Sequence, residues 1–242
     1  MPPSAGRRRS EIVAAARELF SEKGYHSASM RDIAERLGLQ AGTLYVHIRS
    51  KEDVLFEIVD QAADRFLEAV RQARAEAESR GAGPEEALRL AMRSHLRVVA
   101  ENLDTATVFF HEWKFLDDDR RALILAKRDA YESAIRDLII QGIESGVFRP
   151  VDPRLAGLAV LSLCNWFYQW YSPAGPQSAE DIADAFADLL LAGLLGGPQA
   201  AASDEARDGG GTGSPTGGRG RTARRGQRRS AGGSGTSSTV VQ

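Results

Sequence analysis

With 242 residues, 43% of them apolar, the chain is long enough for one large domain or two smaller ones, each with its own core. No stretch approaches about 18 consecutive apolar residues and the Arg-rich opening, Met1 to Ser10, lacks the apolar run of a secretion signal, so a cytoplasmic protein without membrane contact is expected. The net charge of −2 conceals a division into basic ends and an acidic middle, the distribution of a chain that meets a polyanion with one part only, and the single cysteine, Cys164, excludes an internal disulfide or a Cys-cluster zinc site.

Alternating apolar and polar runs are missing, whereas apolar residues recur at helical spacing nearly throughout, which predicts an all-α fold. Ser10 is suited to cap a first helix with Ile12, Val13, Ala16, Leu19 and Phe20 on one face and Gly24 at its end, leaving Arg7, Arg8 and Arg9 as an arm before it. Ser29, with Asp32 in capping position, begins a second helix that Gly38 interrupts, and a short third runs from Ala41 to about His47. Ser50 caps a long fourth helix from Lys51 to about Ser79. Further helices are expected near 84–102, 104–116, 118–145, 153–172 and 178–195, separated by Asn102, Gly146, Pro150, Pro153, Pro173, Gly175 and Pro176. Beyond residue 196 the composition collapses into Gly, Ser, Thr, Ala and Arg, which cannot bury enough surface to offset ordering entropy, so residues 197–242 are expected to be a disordered tail. The expected division is therefore 1–50, 51–196 and 197–242.

The most informative stretch runs from Ser29 to Leu55. Two short helices crossing at a tight turn need a small residue at the crossing and a glycine at the bend, here Ala34 and Gly38, with Ile33, Leu37, Leu39 and Leu44 locking the angle. The same spacing also suits any two amphipathic helices meeting at a glycine. The flanking residues are more specific: Glu18-Leu19-Phe20, Lys23-Gly24-Tyr25, Ile33-Ala34-Glu35, Gly38, Thr43-Leu44-Tyr45, His47 and Ser50-Lys51-Glu52-Asp53-Val54-Leu55. Over these roughly fifty residues the chain resembles the TetR family of transcriptional regulators, departing from the usual pattern at Val46 and Ile48. The resemblance implies an N-terminal three-helix helix-turn-helix domain binding a double-stranded, palindromic DNA operator, and a C-terminal helical domain for a small effector and for homodimerisation. It assigns phosphate contacts to Arg31, Tyr45 and Lys51 and the leading edge of the recognition helix to Gln40, Ala41, Gly42, Thr43 and His47. Each exposed cation of this region also reads as plain solvated charge.

The helices expected at 153–172 and 178–195 are apolar around most of their circumference, more than one core-facing stripe requires, and the surplus predicts a subunit interface including Leu158, Phe167, Phe186 and Leu190. The segment Asn165 to Tyr171, followed by Pro173, Gly175 and the helix start Ser178 to Ala183, resembles the branch of the family controlling fatty-acid and steroid breakdown, whose members sense acyl-CoA thioesters. That likeness implies an acyl-CoA effector, with Phe110, Trp113, Tyr131 and Trp166 as walls and Arg128, within the run Arg120, Arg121, Lys127 and Arg128, near the CoA phosphates. Taken one at a time, these aromatic residues also suit an ordinary core. No catalytic set, metal-ligand spacing or phosphate loop appears among His26, His47, His95, His111 and the carboxylates, so neither an enzyme nor a cofactor is expected. A regulator answering to a drug or aromatic metabolite, and a helical protein-interaction module without DNA binding, are the alternative readings.

Overall fold

A computed structural model describes residues 5–195, which places the glycine- and arginine-rich segment 197–242 outside the described residues. Helix α1 spans Ala5–Lys23 and stops at Gly24, whose φ of 81° a side-chain-bearing residue adopts with difficulty. It begins before Ser10, so Arg7, Arg8 and Arg9 are its first turns and not an arm. Glu11 takes Arg7 at 3.3 Å and Arg8 at 2.7 Å across one turn, while Arg9 reaches Glu57 and the His47 carbonyl. Helix α2, Met30–Arg36, starts in a complete capping box: Ser29 Oγ accepts the Asp32 amide and Asp32 accepts the Ser29 amide. Gly38 turns the chain into α3, Ala41–His47, with Ile33, Ala34 and Leu44 buried at the crossing.

Ser50 Oγ accepts the Asp53 amide and starts α4, Lys51–Ser79, whose 29 residues extend about 43 Å from the head into the body. Helix α5, Pro84–Glu101, carries proline in its first turn, where the missing amide donor costs nothing. Helix α6 covers Leu103–His111, capped by Asn102, and tightens into a 3-10 turn at Trp113–Phe115. Helix α7, Asp118–Glu144, packs on α4, α5 and α8; helix α8 is Pro153–Trp166 and α9 is Ala179–Leu194. The continuous helix expected from 153 to 172 ends at Trp166. A 3-10 turn over Phe167–Gln169 follows because Phe167 is drawn wholly into the core while Tyr168 and Gln169 engage His111 at the end of α6.

No strand occurs among the described residues; the return from α7 closes on an isolated bridge between Phe148 and Leu195, with the Phe148 ring lying over Gly142 where a Cβ would sit 2.1 Å from it. Helix α9 is held against α5 by a two-pronged pair, Arg93 to Asp184 at 2.6 and 2.8 Å, and by Arg89 to Asp188 at 2.6 Å. These pairs set the rotation of α9 and turn Leu189 outward. Among the described residues, no helix is long and apolar enough to cross a membrane.

Candidate nucleic-acid interface and ligand interior

On α3 the exposed face carries Ala41, Gly42, Thr43, Tyr45 and Val46, with Gln40 exposed just before it and His47 half-buried at its end. Nothing lies within 4 Å of the space a Cβ at Gly42 would take, so that backbone is open to close approach. Val46 is 78% exposed, an apolar side chain with no partner in the protomer, of the kind that meets a thymine methyl in a major groove. The sequence marks it only as a departure from the usual TetR pattern, without saying which way it faces. Arg31 is exposed at the start of α2 and paired with Glu35 at 2.8 Å, an ion pair weak enough in water to exchange for a phosphate.

Lys51 is differently engaged. Its ammonium donates to the carbonyls of Tyr25 and Ala28, each at 2.8 Å, and lies 4.2 Å from the centre of the Tyr25 ring, and burial lowers its pKa. Two of its N–H groups thus tie α4 to the turn between α1 and α2, leaving one for a phosphate. Lys51→Ala is therefore expected to destabilise the head by about 2 kcal/mol in addition to weakening DNA binding. Thermal unfolding measures the first effect. A salt slope lower by about one measures the second, and an unchanged slope would confine Lys51 to a positioning role.

In the body, Phe66 of α4 is the centre of an aromatic interior. Its ring lies 4.8 Å from His95, 5.2 Å from Phe109, 5.9 Å from Phe110 and 6.0 Å from Tyr131. Phe110 stacks on Tyr168 at 5.1 Å. The Arg128 guanidinium sits 5.0 Å from Trp113 and 5.5 Å from Phe109, and its Nη1 is buried with no hydrogen-bond partner. Burial pulls its pKa down, with only Asp129 opposing. Phe110, Trp113, Arg128 and Tyr131 are thus gathered around one region, to which Phe66, His95, Phe109 and Tyr168 must be added. Trp166 is not among them: it is 63% exposed, on the side of α8 away from the buried Cys164. Nor is the basic run one surface. Arg120 is bound to Asp53, Arg121 to Asp118, and Lys127 to Asp60 and Asp64, so that Arg128 is its one member facing aromatic rings without a carboxylate bond.

His95 is 3% exposed, and its Nδ1 is 2.8 Å from the Tyr131 hydroxyl. Burial pushes its pKa down to about 3, while burial, aided by the nearby Cys164 thiol, raises Tyr131 well above the usual phenol range. The unfolded chain takes up a proton on this imidazole below about pH 6.5, whereas the folded chain refuses it until about pH 3. Stability is expected to fall across that window as the pH is lowered, by up to about 1.4 kcal/mol per unit, and His95→Phe is expected to remove that slope. Urea midpoints of both proteins against pH test this, their difference cancelling the carboxylates.

Two open clefts lie elsewhere, one lined by Arg80, Arg93, Arg97, Glu180 and Asp184, the other by Arg9, Tyr45, His47, Arg49, Asp53 and Arg120. Their charged walls are unsuited to an acyl chain. From the aromatic interior a short path leads to the head. Two residues after Trp113, Phe115 lies 4.0 Å from the His26 ring and stacks on Tyr25 at 5.9 Å, and the Asp117 amide donates to Glu52 of α4 at 2.7 Å.

The outer face of α8 carries Leu155 (64% exposed), Leu158 and Trp166, spaced three and then eight residues apart, and further exposed apolar side chains follow at Trp170 and at Leu189 (72% exposed) of α9. So many exposed large apolar side chains on α8, the turn after it and α9 exceed the scattered apolar residues of an ordinary monomer. Phe186 and Leu190 lie half-buried beside them, the former 6.1 Å from Trp170. Phe167, expected at the subunit interface, has no exposed surface: its neighbours Trp170 and Tyr171 enclose it, so it stabilises the protomer core instead.

Residues 12–58 match the family described as bacterial regulatory proteins, tetR family, and residues 81–194 match the Tetracyclin repressor-like C-terminal domain. The chain is 27% identical over 189 residues to the HTH-type transcriptional repressor KstR2 of Mycobacterium tuberculosis, covering 77% of this chain and 92% of that protein. Among solved structures it resembles PfmR, a TetR family transcriptional regulator from Thermus thermophilus, at 40% identity and a TM-score of 0.70, covering 76% of this chain and 99% of that one. It also resembles AibR in complex with isovaleryl coenzyme A and operator DNA, at 31% identity and a TM-score of 0.68, covering 76% and 98%.

Proposed function

Since the chain belongs to the TetR family of transcriptional regulators, we propose that it is a cytoplasmic, dimeric repressor that leaves a palindromic operator when an acyl-CoA thioester binds its interior. In this reading residues 1–50 read DNA, with Gln40, Ala41, Gly42, Thr43, Tyr45 and His47 entering the major groove and Arg31 and Lys51 flanking it on phosphates. Residues 51–196 hold the effector and, through the outer face of α8 and α9, the second subunit.

The observation that carries the effector is the aromatic interior with the buried, unpartnered Arg128 nitrogen at its edge. Apolar rings suit an acyl chain, and a guanidinium lacking its own carboxylate suits an anionic or carbonyl oxygen of the thioester end. The rings already touch one another, so a ligand enters only by parting α4 from α6 and α7. A close-packed interior that must open passes the displacement outward instead of absorbing it. Movement of Trp113 is transmitted over two residues to Phe115 and hence to the turn bearing Tyr25 and His26, while Arg120 and Asp117 grip the first turn of α4. The spacing of the two recognition helices then changes, and operator affinity falls to the extent that the ligand prefers the altered state.

The experiment is titration of the protein-operator complex with acyl-CoA thioesters of graded length, the matching free acids and CoA itself. Release by thioesters, optimal at one chain length and absent with CoA, is expected. Release by free acids or unrelated aromatic drugs, with no response to thioesters, would overturn the thioester reading.

A further inference from the structure

His95 Nε2 is buried with no hydrogen-bond partner, on the side of the ring opposite the nitrogen that meets Tyr131. Its surroundings are the rings of Phe66 and Tyr131, and on α7 the equally unpartnered Arg128 Nη1 belongs to a side chain one turn before Tyr131. A phenol is the stronger donor and an imidazole nitrogen the stronger acceptor, so the Tyr131 hydroxyl donates its hydrogen bond to Nδ1 and the His95 proton resides on Nε2. Burial keeps the imidazole neutral throughout the physiological range, which maintains this arrangement. The interior therefore holds two orphaned donors in an otherwise aromatic lining. The neighbouring rings offer these donors no acceptor, and an oxygen carried on a buried chain supplies one.

We infer that His95 Nε2 is a specificity determinant that donates a hydrogen bond to an oxygen carried on the effector's acyl group, so that the preferred effectors are keto- or hydroxy-acyl compounds and not plain saturated ones. Tyr131 acts as the positioning residue that holds the donor tautomer. This inference rests on the acyl-CoA reading for the ligand class. A site built to donate to an oxygen rejects the analogue lacking it, because the donor is then left buried and unpaired.

The test is calorimetric binding of decanoyl-CoA, and of derivatives bearing a ketone at successive odd positions along the chain, to the full-length protein without DNA. At least one keto derivative is expected to bind about tenfold more tightly than decanoyl-CoA, a ratio that His95→Phe abolishes and Tyr131→Phe reduces. A merely structural role for His95 would weaken all ligands together and leave the ratio intact, so the ratio remains diagnostic even if the variants are less stable. Equal binding of plain and keto compounds, a ratio preserved in His95→Phe, or no binding by any thioester or matching free acid would overturn the inference. The matching free acids separate the two proposals. A keto preference among free acids but no thioester binding sinks the thioester reading and supports the His95 donor, whereas tight keto-thioester binding without operator release supports the donor and overturns only the proposed release.

Discussion

Leu189→Asp is expected to yield a folded monomer whose operator affinity is lower by on the order of a hundredfold or more. Leu189 is among the most exposed large apolar residues of the described chain and lies on the side of α9 away from the Arg93 and Asp184 clasp, so a charge there disturbs little within the protomer. In a twofold dimer the substitution occurs twice, replacing two apolar contacts of about 1.5–3 kcal/mol each with two carboxylates facing an apolar surface. Loss of the second recognition helix forfeits the effective concentration that links the half-sites, typically a factor of about 10²–10⁴. Phe186→Asp is the less diagnostic change, since Phe186 also packs on Trp170 within the protomer. Sedimentation together with circular dichroism decides the matter: a dimeric Leu189→Asp protein would move the subunit interface away from this face, whereas a helical monomer locates it there. Trp166→Asp is expected to behave alike.

Phe115→Ala is expected to separate binding from response. Effector should still quench Trp113 fluorescence with nearly wild-type affinity, but the concentration needed to release the operator should rise about tenfold or more. Phe115 lies 4.0 Å from His26 and stacks on Tyr25, the residue whose carbonyl accepts Lys51, so removing the ring leaves a gap in the packed path between Trp113 and the head. Coupling between sites requires an element whose two positions both sites influence, and this 3-10 turn is in contact with both. The truncation costs about 1–2 kcal/mol of packing, which thermal unfolding will register and which applies with and without effector. Unchanged release would mean that α4 alone carries the signal.

Much of the head was legible because its signals are local. A capping box joins Ser29 to Asp32 three residues on, Ser50 caps its own first turn, Gly38 supplies a φ of 65°, and the 3.6-residue period marks each helix. These interactions close within one helical turn, so neighbouring residues suffice to specify them. Where a distant side chain intervenes, the local reading goes astray. Ser10 has the chemistry of a cap, yet α1 starts earlier because Arg9 finds Glu57, forty-eight residues away, and Lys51 turns inward to carbonyls of residues 25 and 28.

The body divides along the same line. Apolar periodicity sufficed to determine that 51–195 is helical and carries more apolar surface than one subunit can bury, but not which residues face which way. Trp166 and Phe167 are adjacent and both aromatic, and only the docking of α8 on α7, with Tyr168 and Gln169 drawn to His111, leaves the first in solvent and buries the second. His95 lies thirty-six residues from Tyr131 and had no sequence signal beyond a lone histidine in an apolar stretch. Helix formation depends on backbone bonds four residues apart, which a linear sequence records. The rotation of each helix about its axis depends on what lies across from it, and that is decided only when the whole core packs.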